Sequence, residues 1–303
     1  MSGVYQCEAS GVEGKVKSSQ VQVIIQYGPR AATILRNHQT ISGDVTETED
    51  TSRKIPLNCS SDCNPLCKIA WYKDGEQEDS YNPVIDIRRD RRMSGVYQCE
   101  ASGVEGKVKS SQVQVIIQYG PRAATILRNH QTISGDVTET EDTSRKIPLN
   151  CSSDCNPLCK IAWYKDGEQE DSYNPVIDIR RDRRMSGVYQ CEASGVEGKV
   201  KSSQVQVIIQ YGPRAATILR NHQTISGDVT ETEDTSRKIP LNCSSDCNPL
   251  CKIAWYKDGE QEDSYNPVID IRRDRRMSGV YQCEASGVEG KVKSSQVQVI
   301  IQS

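Results

Sequence analysis

The 303 residues include no phenylalanine, three histidines and no apolar run of the ~20 residues that a membrane-spanning helix needs. No stretch reads as the apolar core of a signal peptide. His38 and its equivalents His130 and His222 have no nucleophile or carboxylate at a recognisable catalytic spacing. Glycine-rich phosphate loops and zinc-ligand motifs are also missing. The sequence therefore reads as a non-enzyme, with no catalytic residue, cofactor or metal centre. A formal net charge of −3 provides no broad basic surface, so nucleic acid is not expected as a partner. A hydrophobic fraction of 35% implies a small core that needs a covalent staple.

Self-similarity is what the sequence has in abundance. Residues 27–118 recur without change as 119–210 and again as 211–302, a period of 92 residues. Three identical copies amount to one sample of composition, so the lack of phenylalanine carries little weight. A 92-residue unit is too long for a solenoid repeat, which cannot bury a core alone, and each unit is expected to fold independently. Residues 1–26 match 93–118 position by position, and Met1 occupies a place that is methionine in every copy. The chain is thus expected to be a section of a longer array. Its first 26 residues have the last two strands of a unit without the preceding ones. A lone pair of strands is marginal in water, so this segment is expected to be completed by the missing half, from upstream chain or from another molecule.

Within each unit the pattern Leu57-Asn58-Cys59, Trp71-Tyr72 and Gly95-Val96-Tyr97-Gln98-Cys99 sets a cysteine, tryptophan, cysteine spacing. Together with Trp71-Tyr72-Lys73-Asp74-Gly75, Val84-Ile85-Asp86-Ile87 and Ser94-Gly95-Val96-Tyr97-Gln98-Cys99-Glu100-Ala101, it resembles a short I-set or constant-like immunoglobulin domain. The resemblance covers essentially the whole chain. It implies an all-β protein, tandem immunoglobulin-like β-sandwiches arranged end to end, with a partial domain at 1–26 and domains at 27–118, 119–210 and 211–303. It also implies a disulfide from strand B to strand F between Cys59 and Cys99, packed on Trp71 of strand C, with Tyr97 closing the corner between strands E and F. The equivalents are Cys151, Cys191, Trp163 and Tyr189, then Cys243, Cys283, Trp255 and Tyr281. One departure is visible. Such domains usually carry aspartate before the Ser-Gly of strand F, often paired with a basic residue, and here that position is Met93.

Taken in order, Tyr27-Gly28-Pro29-Arg30 joins one unit to the last with no flexible spacer, so neighbouring domains are expected to follow one another stiffly at a repeat of about 40 Å. Strand A with its bend is read at 31–41. An acidic segment at 44–50 follows, either a calcium site or a solvated loop that keeps a sheet edge from pairing. Strand B is read at 55–60, with Ile55, Leu57 and Cys59 inward and Asn58 outward. Asn58-Cys59-Ser60 is a glycosylation sequon, repeated at Asn150 and Asn242; it is either occupied or an unmodified exposed asparagine.

The loop from Ser61 to strand C holds Cys63 and Cys67 around Asn64-Pro65, with equivalents Cys155, Cys159, Cys247 and Cys251. With the core pair assigned, these two can close a five-residue loop, cross-link neighbouring molecules or bind a metal, the last disfavoured by the single histidine per unit. Cys7 has no partner in the sequence. Strand C is read at 68–73, a turn at Asp74-Gly75 opens a second acidic stretch ending at Asp79, and strand E is read at 84–88. The short span between Trp71 and Cys99 is expected to leave little room for extra edge strands, giving a three-plus-four sandwich. The cluster Arg88-Arg89-Asp90-Arg91-Arg92 is either a solvated turn or an anion site. Strand G is read at 107–118 after a hairpin loop at 102–106.

Two functional readings follow. The resemblance to hemicentin-like matrix proteins, cell-adhesion molecules and the stalks of sialic-acid-binding lectins implies an extracellular, non-enzymatic module. Perfect repetition suits a structural or adhesive filament of self-associating units, in which acidic segments of one rod match arginine clusters of the next. The alternative is the stalk of a cell-surface adhesion or immune-type receptor that binds a protein or glycan through a domain elsewhere; in either reading the chain is expected to be secreted or the ectodomain of a membrane protein.

Overall fold

The computed structural model describes residues 2–41, 43–225 and 227–303. Met1, Ser42 and Ser226 lie outside the described residues, and with Met1 the expectation attached to it. The chain forms two units, one of Met1–Arg122, Asp154–Cys159 and Ser194–Lys199, the other of Ala123–Ser153, Lys160–Ala193 and Val200–Ser303.

In the first unit, β1 (Gly3–Tyr5) and β4 (Val21–Val23) form one antiparallel ladder, and β2 (Glu8–Gly11) and β3 (Gly14–Lys17) another. Their apolar side chains face solvent. Tyr5 is 52% exposed, whereas the identical Tyr97 is fully buried. The difference lies in the opposing sheet, which Tyr97 has.

That opposing sheet belongs to a two-layer sandwich. Its strands are β5 (Ala32–Arg36), β6 (Gln39–Thr40), β7 (Val45–Thr48), β8 (Asp50–Ser61), β9 (Lys68–Lys73), β10 (Glu76–Gln77), β11 (Val84–Arg89), β12 (Gly95–Gly103), β13 (Gly106–Lys109) and β14 (Val113–Gln118). One layer runs β11-β8-β5-β6. The other runs β10-β9-β12-β14-β7, with β13 also on β12. All pairings are antiparallel except β7 on β14, which is parallel and aligns Val45 with Val115. Among the described residues there is no α-helix, only the single 3₁₀ turn Arg91–Met93 and its two equivalents.

Alternation of side chains builds the core between the layers. Ile34, Ile55, Leu57, Cys59, Trp71, Ile87, Tyr97, Cys99, Val115 and Ile117 point inward, all at most 4% exposed. Pro56 is tolerated in the central strand β8 because β5 pairs only from Asn58 onward, so no neighbour awaits the missing N–H. In the second unit the same registers recur, Val137 against Val207 and Val229 against Val299.

Several sequence expectations are corrected. The strand read at 31–41 breaks into β5 and β6, because Asn37 and His38 both adopt left-handed φ (51° and 65°) in a two-residue hairpin turn. His38 is a turn residue. β8 starts at Asp50, before the expected 55, and the F–G loop shrinks to two residues between Gly103 and Gly106. The strand read at 107–118 is interrupted: Ser110 turns inward and its hydroxyl accepts the Cys99 N–H at 3.1 Å. An edge strand β10 exists after all, admitted by the tight Asp74-Gly75 turn (φ 52° and 89°).

Candidate functional site

The residues singled out in the core converge. Cys59 and Cys99 are joined across the layers with Cα atoms 6.2 Å apart, and Trp71 lies opposite Cys99 in the β9–β12 ladder. The Trp71 indole N–H donates to the Asn82 carbonyl at 3.0 Å. The Tyr97 hydroxyl donates to the Met93 carbonyl at 2.9 Å, closing the turn between β11 and β12. Burial, aided by the Glu78 and Asp74 carboxylates, pushes that phenol well above its ordinary range. Met93 accordingly contributes its backbone to the corner and packs its side chain on the core. The ion pair missing at Met93 is formed elsewhere. Glu47 on β7 pairs with Arg36 on β5 and with Arg89 on β11, the latter at 2.8 Å, tying both layers together at their rim. The equivalent cysteines are joined as Cys151–Cys191 and Cys243–Cys283, each with Cα atoms 6.2 Å apart. The same environment surrounds Trp163, Tyr189, Trp255 and Tyr281, all fully buried.

The second cysteine pair closes on itself. Cys63–Cys67, Cys155–Cys159 and Cys247–Cys251 are local disulfides, leaving Leu66, Leu158 and Leu250 projecting into solvent. Cys7 is free and exposed. Asn58 lies half-buried in β8, with its backbone held between Leu35 and Val84; Asn150 and Asn242 occupy the same place. Among the described residues no cluster of side chains is arranged to hold a metal ion.

The charged segments meet where one repeat joins the next. In the first unit, Glu49 follows β7 and accepts from the Arg91 backbone N–H at 3.3 Å, from Nε at 3.1 Å and from Nη2 at 2.7 Å. Arg122, just past the linker, donates to the same carboxylate at 3.1 Å. Arg91 reaches on to Asp154 of the following B–C loop, whose other oxygen accepts the Arg122 N–H at 3.1 Å. The Arg91 guanidinium also lies 4.0 Å over the ring of linker Tyr119, whose backbone pairs with Asn156. Gly195 sits so close to Gly120, Pro121 and Cys155 that a Cβ there would fall 2.9 to 3.1 Å from them.

In the second unit Glu141, Arg183, Arg214, Asp246 and Tyr211 reproduce the arrangement, with Arg183 4.1 Å over the tyrosine. Hydrogen bonding to Arg91 holds Glu49 below the usual carboxylate range, and the partnership with Glu49 raises Arg91. For Asp154, burial opposes the charge but the Arg122 N–H and Arg91 outweigh it. The third copy serves as an internal control. Glu233 and Arg275, identical in local sequence but with no further repeat after them among the described residues, form a looser pair at 3.3 Å with side chains 38% and 59% exposed, against 15% and 16% for Glu49 and Arg91. The following repeat completes the cluster.

No family model matches the chain. It is 26% identical to the peroxidasin homolog of Mus musculus over 97% of this chain and 20% of that protein. It is 24% identical to hemicentin-2 of Mus musculus over 97% of this chain and 6% of that protein. The limbic system-associated membrane protein of Rattus norvegicus matches at 24% identity over 76% of this chain and 72% of that protein. The chain is a tandem immunoglobulin-like repeat protein. Among solved structures, the N-terminal four immunoglobulin domains of Dscam1 align over 100% of this chain and 82% of that chain at 18% identity and TM-score 0.40. Sidekick-1 immunoglobulin domains 1–4 align over 100% of this chain and 83% of that chain at 16% identity and TM-score 0.34. The immunoglobulin-like chain spans a fifth of the peroxidasin homolog and a smaller share of hemicentin-2. Its disulfides belong to an oxidising compartment, and the protein is extracellular, secreted or an ectodomain. Among the described residues no helix is long and apolar enough to cross a membrane.

Proposed function

We propose that this chain is a non-enzymatic extracellular scaffold whose identical immunoglobulin-like repeats self-associate into filaments or bundles. Its domains are residues 27–118, 119–210 and 211–303, with 1–26 contributing the last strands of another. The observation that supports this reading is the repeated junction. Glu49, Arg91, Arg122 and Asp154 clamp one linker, and Glu141, Arg183, Arg214 and Asp246 clamp the next in the same way. The two junctions therefore present the same surface in the same local setting, which favours periodic contacts with further copies.

A second reading is favoured by the match over 72% of the limbic system-associated membrane protein: the stalk of an adhesion receptor engaging another protein or a glycan. Electron microscopy of the native protein, with sedimentation of the purified chain, separates the two. Bundles with a regular axial repeat are expected for the scaffold. Single membrane-anchored molecules, together with a monomeric purified chain, would reject it in favour of the stalk.

A further inference from the structure

The layer β11-β8-β5-β6 ends at β11, which among the described residues pairs only with β8 and leaves its other edge open. The hydrogen-bond rows define that edge. Cys59 donates to the Pro83 carbonyl at 2.8 Å, so backbone groups of 83, 85 and 87 face β8, and those of Val84, Asp86 and Arg88 face outward. The side chains of these three outward residues stand on the solvent face. Asp86 is only loosely engaged, 3.7 Å from Lys54, and among the described residues no carboxylate forms an ion pair with Arg88. An open groove lined by Asp86, Arg88, Asp90, Arg92 and Met93 runs beside the strand. Strands Val176–Arg181 and Val268–Arg273 repeat the pattern in the second unit.

Charges on an edge strand ordinarily deter pairing with other strands. Here they are of opposite sign and two residues apart, and a two-fold antiparallel partner reverses their order. We infer that β11 pairs edge to edge with β11 of a second copy of this chain, with Ile87 opposite Ile87 and Asp86 opposite Arg88 in both directions. The backbone parity is right, since 86 and 88 carry the outward N–H and C=O groups. The charges then select the register. A shift that centres the pair on residue 86 sets Asp86 against Asp86, and one that centres it on 88 sets Arg88 against Arg88; like charges directly opposite are destabilising. The partner is therefore another β11, and each chain offers three such edges.

This inference rests on the self-association reading and names its surface. The test uses the full chain produced through an oxidising secretory route, in three variants altered in every copy. One carries Asp86→Arg, Asp178→Arg and Asp270→Arg; the second carries Arg88→Asp, Arg180→Asp and Arg272→Asp; the third carries both sets. All six positions are solvent-facing, and circular dichroism reports on folding. Sedimentation velocity is expected to show association roughly tenfold or more weaker in each single-set variant, and restored in the double set, where the opposite charges meet again. If both single-set variants associate like the natural chain, the edge is not the interface, although self-association stands. If they weaken but the double set does not recover, the register is overturned. If the folded natural chain stays monomeric at all concentrations, the self-association reading fails and this inference with it.

Discussion

Tyr97 and Tyr5 are the same residue in the same local sequence, one fully buried and the other 52% exposed, so burial here is decided by what stands across the sandwich. The tyrosine corner should be measurable as such. Replacing Tyr97, Tyr189 and Tyr281 with phenylalanine removes a hydroxyl that donates to Met93, Met185 and Met277 and leaves those carbonyls unpaired. A loss of about 1 kcal/mol per repeat is expected in urea unfolding. The two disulfide classes should differ more. In the chain-entropy view, the core bridge, spanning a sequence separation of 40, contributes about 4 kcal/mol, and the loop bridge, spanning 4, about 2. Alanine at Cys59, Cys99 and their equivalents should therefore lower the unfolding midpoint further than serine at Cys63, Cys67 and theirs. The spacing of Cys59, Trp71 and Cys99 was legible because a covalent pin on an indole imposes it. The position of Met93 was not, because its contribution is a backbone carbonyl that any residue would supply.

At the level of elements, the acidic segment and the arginine cluster prove to be one structure. The sequence offered calcium for the first, an anion for the second, and a match between separate molecules for the two together. The fold instead brings Glu47 to Arg36 and Arg89, and Glu49 to Arg91, within one repeat, because β7 and β11 end at the same rim. Charges already paired in this way are not free to join neighbouring molecules. Glu49 is held below its ordinary pKa by Arg91, so its contribution is complete above the unfolded carboxylate value near 4.5 and is lost as pH falls through the depressed folded value. Thermal unfolding of the natural chain should therefore weaken more steeply below about pH 4.5 than that of a variant with Glu49→Gln and Glu141→Gln. The variant should be the less stable of the two at pH 7. Equal slopes in acid would show that the junction charges do not couple to folding.

For the whole molecule, association is expected to respond to salt only in part. Raising ionic strength from 0.1 to 1 M shortens the screening length from ~10 to ~3 Å, which should weaken the Asp86–Arg88 matches while leaving backbone hydrogen bonds in place. Sedimentation across that range should show weaker but persistent association. Its complete loss would point to charge contacts alone, and persistence that ended on adding reductant would point to disulfide cross-links. A second expectation concerns repeat number. Appending one more 92-residue copy after Gln302 should bring Arg275 and Glu233 into the tighter, buried arrangement of Arg91 and Glu49. Nitrogen NMR of guanidinium groups would read this as one further slowly exchanging arginine signal.

The sequence by itself determined the repeat, its 92-residue period and the inward residues Ile55, Leu57 and Cys59 of β8, because repetition and side-chain alternation are local rules, and its resemblance to immunoglobulin domains implied the all-β class and the covalent pin. It also determined the turn at Asp74-Gly75, where a glycine marks the left-handed backbone. Tertiary structure alone decided which carboxylate meets which arginine. Glu49, Arg91, Arg122 and Asp154 are spread over more than a full repeat of chain, and only the docking of the second copy's B–C loop on the preceding linker brings them together. The open edge of β11 was likewise hidden. A strand's sequence shows which side chains face water, but whether its backbone has a neighbour depends on the order of strands in the sheet, a long-range outcome that no local pattern encodes.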